Sequence, residues 1–147
     1  MKTIKVKVIN NSKNPLPEPA TPGAAGLDLR ANIDAPVTIQ PGERKLIPSG
    51  LHIQLPEGYE LQVRPRSGLA LKHGITLTNA PGTVDSDYRG DVGAVLHNLG
   101  NEPFTIEPGD RMCQVVAKEF VRIEWEPTDQ LDDTLRGEGG YNSTGVK

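Results

Sequence analysis

The residues from Gly82 to Gly90 read Gly-Thr-Val-Asp-Ser-Asp-Tyr-Arg-Gly, and they crowd unusual chemistry into one short stretch. Two carboxylates (Asp85 and Asp87), a phenol ring (Tyr88) and a guanidinium (Arg89) stand between two glycines. A tight turn accounts for the glycines and for one Asp. It has no use for Tyr88 or Arg89. An acid, a ring able to stack on a base or sugar, and a phosphate-binding cation in one loop point to a nucleotide site.

Other fragments carry acids and cations. Asp28 lies between apolar neighbours in Ala25-Gly26-Leu27-Asp28-Leu29. Arg66-Ser67-Gly68 follows Pro65, and Ser67 to Lys72 is the one stretch that invites a helix, a short one. Backbone N–H groups at a helix start, with a hydroxyl and a guanidinium, make an anion site. Gly109-Asp110-Arg111 leads a strand that carries Gln114. Taken singly, each fragment is better explained as structure: a buried Asp paired with Arg, a helix cap, a β-turn. His52, His73 and His97 are scattered, and no Cys/His spacing suggests zinc. Neither a Walker loop nor a dinucleotide-binding glycine motif is present.

These fragments sit on many short elements. The chain has 147 residues, enough for one domain with a real core. Its 16 Gly and 13 Pro argue against long helices. Ile4, Val6 and Val8 alternate with Lys5 and Lys7 as an opening strand, followed by a stiff Pro15 to Pro19 connector. Further strands are expected over 27–29, 37–40, 44–47, 51–55, 59–63, 75–78, 91–97, 104–106 and 112–121. Turn signals separate them about every eight to twelve residues, the pattern of an all-β sandwich or barrel. Ile39-Gln40-Pro41-Gly42-Glu43-Arg44 echoes Ile106-Glu107-Pro108-Gly109-Asp110-Arg111. Two similar strand-turn-strand corners explain this more simply than an internal repeat.

After Trp125 the pattern stops. Residues 127–135 read as a linker behind a domain over 1–126. Residues 136–147 then read as a mobile tail, or as an arm that orders over an anionic ligand. A net charge of −3 argues against a general nucleic-acid binder. The single Cys113 excludes an internal disulfide and fits a reducing compartment. No apolar run approaches the roughly 18 residues that span a bilayer. The N-terminus shows no signal or transit peptide pattern, so a cytoplasmic protein is expected.

Five motifs follow one another in order: Ala-Gly-x-Asp-Leu, Pro-Arg-Ser-Gly, Gly-x-x-Asp-x-Asp-Tyr-Arg-Gly, Gly-Asp-Arg-x-x-Gln and Arg-Gly-x-Gly-Gly-x-x-Ser-Thr-Gly. Together they resemble the trimeric dUTP pyrophosphatase (dUTPase) family, over nearly the whole chain. The resemblance implies an all-β jelly roll, a sandwich-like barrel of short antiparallel strands with one short helix and a mobile C-terminal arm. It implies a homotrimer with active sites at subunit interfaces, and hydrolysis of dUTP to dUMP and pyrophosphate with Mg²⁺.

The residue roles are likewise those the resemblance implies. Asp85 orients and deprotonates the water that attacks the α-phosphorus in line. Tyr88 packs on the deoxyribose and leaves no room for a 2′-OH. Asn79 and the backbone around Val84 pair with the uracil edge. Arg66, Ser67, Gly68 and Gln114 hold the phosphates, and Asp28 lies near the metal, reaching it through water. Arg136 reaches the γ-phosphate, Tyr141 stacks on uracil, and Ser143 and Thr144 add hydroxyl contacts.

Three positions depart from the family pattern. Tyr141 stands where Phe is usual, Asn142 where Gly is common, and Cys113 where a small apolar residue is more usual. The related dCTP deaminases share the fold but need a Glu that aligns with Val95, which cannot transfer protons.

Overall fold

The computed structural model describes residues 2–140. Eleven short strands and one helix follow in order: β1 (Lys7–Asn10), β2 (Leu27–Arg30), β3 (Val37–Ile39), β4 (Arg44–Ile47), β5 (Leu51–Gln54), β6 (Tyr59–Arg64), α1 (Ser67–His73), β7 (Ile75–Leu77), β8 (Gly82–Val84), β9 (Ala94–Asn98), β10 (Phe104–Ile106) and β11 (Arg111–Glu119). All pairings are antiparallel, in four sheets ordered β1-β5, β10-β3, β2-β11-β6-β8 and β4-β9-β7. The all-β, jelly-roll-like expectation holds, with the wrapping made by separate sheets and not by one closed ladder.

Alternation explains the core. Along β9, Ala94, Leu96 and Asn98 point inward while Val95 and His97 are half-buried. Ile39, Ile47, Ile75, Leu96, Ile106 and Met112 are fully buried, each worth about 1.5–3 kcal/mol in apolar transfer. Asn98 is buried among them with its amide satisfied. It donates to the carbonyls of Ile39 (2.9 Å) and Glu102 (2.8 Å) and accepts from the Gly100 N–H (2.9 Å).

The two echoed corners are built alike. Gly42 and Gly109 both take positive φ (79° and 83°), which Gly adopts without a Cβ penalty. In one, the Glu43 carboxylate accepts from the Gln40 N–H at 2.8 Å; in the other, Asp110 accepts from the Glu107 N–H at 2.9 Å. The Gln40 N–H bond holds the Glu43 pKa below its ordinary value. The strands entering these corners, β3 and β10, pair with each other.

Three expectations are corrected. The opening strand begins at Lys7 and not at Ile4, because Lys7 pairs with Gln54 and the register then runs into Pro56, which has no N–H. The strand expected from Asp91 is regular only from Ala94. Before it the chain bends, with the Gly93 N–H bonded to the Asp91 carbonyl (3.0 Å). The first three residues of the Gly82–Gly90 stretch are not loop but strand β8, paired with β6.

β11 is the last element among the described residues. Beyond it Val121 and Trp125 are 90% and 82% exposed, and Ile123 is exposed as well. No helix among the described residues is long and apolar enough to cross a membrane.

Candidate active site

One group of side chains gathers where β2, β11 and β6 run side by side. Gln114 on β11 is in register with Asp28 on β2 and with Arg64 on β6. Asp28 is held between two guanidiniums. Arg66 Nε donates to its Oδ1 at 3.2 Å, and Arg111 Nη1 to its Oδ2 at 3.3 Å. A second donor on Arg66, Nη1, reaches the Arg111 carbonyl at 3.1 Å. One carboxylate between two guanidiniums leaves a surplus positive charge, which suits an anion. Gln114 Nε2 donates to the Pro65 carbonyl at 2.9 Å, tying the strand to the start of α1. A Cβ on Gly26 would collide with the Gln114 amide oxygen, so that glycine lets β11 carry its Gln there.

Arg66 is the N-cap of α1 and provides no side-chain cap, so the first N–H groups of Ser67 and Gly68 are not used by a capping side chain. Nothing lies within 4 Å of where a Gly68 Cβ would stand. The chain's own packing therefore does not require glycine there, although Gly in a helix costs about 0.5–1 kcal/mol. Cys113 lies beneath this group, fully buried. Burial pushes its thiol up to about 12, with the charge of Asp28 adding and that of Arg66 opposing. It packs as an inert side chain, as expected.

A second group surrounds the turn from β7 to β8, two strands that lie in different sheets. A cavity of about 220 Å³ is walled by Asn79, Gly82 to Asp85, Tyr88, Val95 and neighbouring apolar residues. The Asn79 amide folds back over Gly82, 3.0 Å from where a Cβ would stand. Because β8 is the outer strand of its sheet, one row of its N–H and C=O groups is left free of the ladder. Asp85 follows directly on β8 and is exposed. Tyr88 is 46% exposed, and its hydroxyl donates to the Asp91 carbonyl at 3.2 Å. The Asp91 carboxylate accepts from the Ser49 N–H (2.9 Å) and the Gly50 N–H (2.8 Å), which gives it a structural task.

Arg89 departs from the sequence reading. Its Nη1 donates to the carbonyls of Ser86 (2.7 Å) and Tyr88 (2.8 Å), so it grips its own loop and is not held out as a phosphate-binding cation. Arg111 is the reverse case. Its Gly-Asp-Arg motif implies no role for it by sequence alone, yet it is half of the clamp on Asp28.

Within one chain the two groups are far apart. Val84 pairs with Leu61, so Asp85 lies across from Glu60. Arg66 is six residues further along, about 20 Å at the rise of a strand. Arg136 donates from Nε to the Gly139 carbonyl at 2.6 Å, within a local turn. Tyr141, Ser143 and Thr144, together with Asn142, lie outside the described residues.

The dUTPase family model matches residues 12–145. A deoxyuridine 5'-triphosphate nucleotidohydrolase of Finegoldia magna is 52% identical, covering 97% of this chain and 99% of its own. One from Rickettsia felis is 51% identical, covering 97% of each. The solved structure of a Staphylococcus bacteriophage 80alpha dUTPase (G164S mutant with dUpNHpp) superimposes with a TM-score of 0.87 at 23% identity. It covers 98% of this chain and 100% of that one. At that identity the likeness speaks for the fold.

Proposed function

The chain belongs to the dUTPase family, and on that premise we propose that it hydrolyses dUTP to dUMP and pyrophosphate at sites assembled from more than one copy of itself. The observation that carries this reading is the cavity beside Asp85, which joins an exposed acid, a half-exposed ring and the free edge of β8.

Uracil presents acceptor, donor and acceptor along one edge, and a strand edge can answer in kind. The Asn79 amide and the backbone around Val84 supply that answer. Cytosine would leave buried polar groups unmatched, a defect that can cost about 10⁴ in selectivity. Tyr88 takes the deoxyribose and fills the space a 2′-OH would need. Arg66, Ser67, Gly68 and Gln114 receive the phosphates, and the open space at Gly68 lets a phosphate approach the backbone closely. Asp85 then accepts a proton from a water whose oxygen attacks the α-phosphorus. The bond to the bridging oxygen breaks, and pyrophosphate leaves.

The family setting supports a divalent metal, and we assign Mg²⁺. No cluster of three or more His, Cys, Asp or Glu ligands occurs among the described residues. A Mg²⁺ held mainly by substrate oxygens and water would need none. Each Asp28 oxygen already accepts one guanidinium bond, which fits a contact to the metal through water and not a direct one. Such an ion would neutralise phosphate charge and hold the triphosphate for in-line attack.

The roughly 20 Å along one subunit between Asp85 and Arg66 supports a site shared between copies of the chain. A homotrimer places the acid of one copy against the phosphate residues of another. Residues 1–126 then form the body, 127–135 a linker, and 136–147 an arm. Closing that arm brings Arg136 to the γ-phosphate, Tyr141 onto the base, and Ser143 and Thr144 onto the phosphates, and it excludes water.

The test is pyrophosphate release from dUTP, dCTP, dTTP and UTP with Mg²⁺, with ammonia followed in the dCTP reaction. Release from dUTP alone is expected. Ammonia from dCTP would instead mean deamination, which Val95 on the cavity wall argues against. A chain lacking residues 136–147 should keep its melting temperature and lose turnover. A large drop in melting temperature would make the arm structural. Tyr88→Ala should admit UTP, and an unchanged preference for dUTP would remove the sugar-gate role.

A further inference from the structure

We infer that Arg89, braced by His52, is a positioning residue that sets sugar selectivity by fixing the loop from Asp85 to Gly90. The inference rests on the reading of Tyr88 as the ring that meets the deoxyribose.

Excluding a ribonucleotide means rejecting one oxygen atom, so the position of the Tyr88 ring has to be held closely. Yet the ring lies on an exposed loop between β8 and β9, where little packing restrains it. Hydrogen bonds do that work. The Tyr88 N–H donates to the Asp85 carbonyl at 3.2 Å and closes a turn that starts at the acid itself. Arg89 Nη1 then spans the carbonyls of Ser86 and Tyr88, at 2.7 and 2.8 Å. These are charge-assisted bonds, stronger than neutral ones. They fix the peptide group before Asp87 and the one after Tyr88, and so restrain the Tyr88 Cα between them.

The main chain of Arg89 is held from the other side. His52 on β5 lies 2.9 Å from the Arg89 carbonyl through Nδ1. A carbonyl only accepts, so Nδ1 carries the proton in this contact. Arg89 therefore ties the loop to a strand of the scaffold through its carbonyl, and ties the Ser86 and Tyr88 carbonyls together through its side chain. Gly90 completes the arrangement. A Cβ there would overlap the Tyr88 ring and hydroxyl, so the ring folds back over a residue that has no side chain. The hydroxyl is thereby brought to the Asp91 carbonyl, and Asp91 is anchored to the Ser49–Gly50 turn.

Without the guanidinium, two carbonyls turn to water and the ring gains freedom. The loss falls on the comparison between sugars, because dUTP tolerates a displaced ring and UTP exploits one.

The experiment compares kcat/KM for dUTP and UTP in wild type, Tyr88→Ala, Arg89→Ala, Arg89→Lys and His52→Ala, with melting temperatures alongside. Arg89→Ala is expected to lower the dUTP/UTP ratio about tenfold, the size of one charge-assisted hydrogen bond. Its melting temperature should fall by less than about 4 °C. Arg89→Lys, which can still reach one carbonyl, should recover part of the ratio. His52→Ala should lower it in the same direction, and it gives a readout that does not depend on Arg89→Ala folding. An unchanged ratio in both Arg89→Ala and His52→Ala would overturn the inference, even if both substrates slowed equally. Tyr88→Ala separates the two levels of argument. If it relaxes selectivity while the Arg89 and His52 variants do not, only this inference falls. If it leaves selectivity intact, the sugar-gate reading falls and takes the inference with it.

Discussion

Asp85→Asn is expected to bind dUTP as wild type does and to lose about 10²–10⁴ in kcat, the range typical of a positioned general base. The amide keeps the size and most of the hydrogen-bonding shape of the carboxylate, so the water can still be held. What is lost is the ability to take its proton as the bond to phosphorus forms. Folding should be indifferent. Asp85 is exposed, and no ion pair among the described residues uses its carboxylate. Single-turnover measurements at saturating dUTP, with the dissociation constant measured separately, give the two quantities independently. Full turnover in this variant would remove Asp85 from the chemistry. A matching loss of affinity would make it a binding group.

The second large effect concerns which copy supplies which group. Arg66→Ala should also be nearly inactive, since it removes a proposed phosphate ligand and half of the clamp on Asp28. Mixing it with Asp85→Asn by co-refolding should bring activity back. With random assembly and a site that takes its acid from one copy and its Arg66 from another, about a quarter of the sites would be intact. A site made within one subunit would never be whole in such a mixture, and the activity would stay at the sum of the two variants. The comparison therefore turns the distance along β6 into a yes-or-no measurement. Each variant refolded alone gives the baseline.

Much of this was legible from the chain, and the gaps have physical causes. Alternation and turn residues gave nearly every strand, because burial on one face imposes a two-residue period. β8 escaped because Gly82-Thr83-Val84 carries no pattern of its own, and pairing with β6 makes it a strand. Arg111 was passed over because the acid it clamps is 83 residues away in sequence. Arg89 was misread because its partners are backbone carbonyls, which every residue possesses and no sequence displays. The order of the motifs likewise carries no information about which copy each one serves. What the structure adds is a distance: Asp85 follows β8 across from the start of β6, and Arg66 lies just beyond the end of β6.

The exposed row Val121, Ile123 and Trp125 has a consequence for the life of a newly made chain. A subunit not yet joined to others in the proposed assembly would show these apolar side chains to water, and such surface recruits wrong partners as readily as right ones. In the proposed assembly, finding another copy is therefore part of reaching the stable state. In that assembly, resistance to unfolding would be a function of the protein's own abundance, through mass action. A cell holding few copies would keep a larger fraction of them in the vulnerable form.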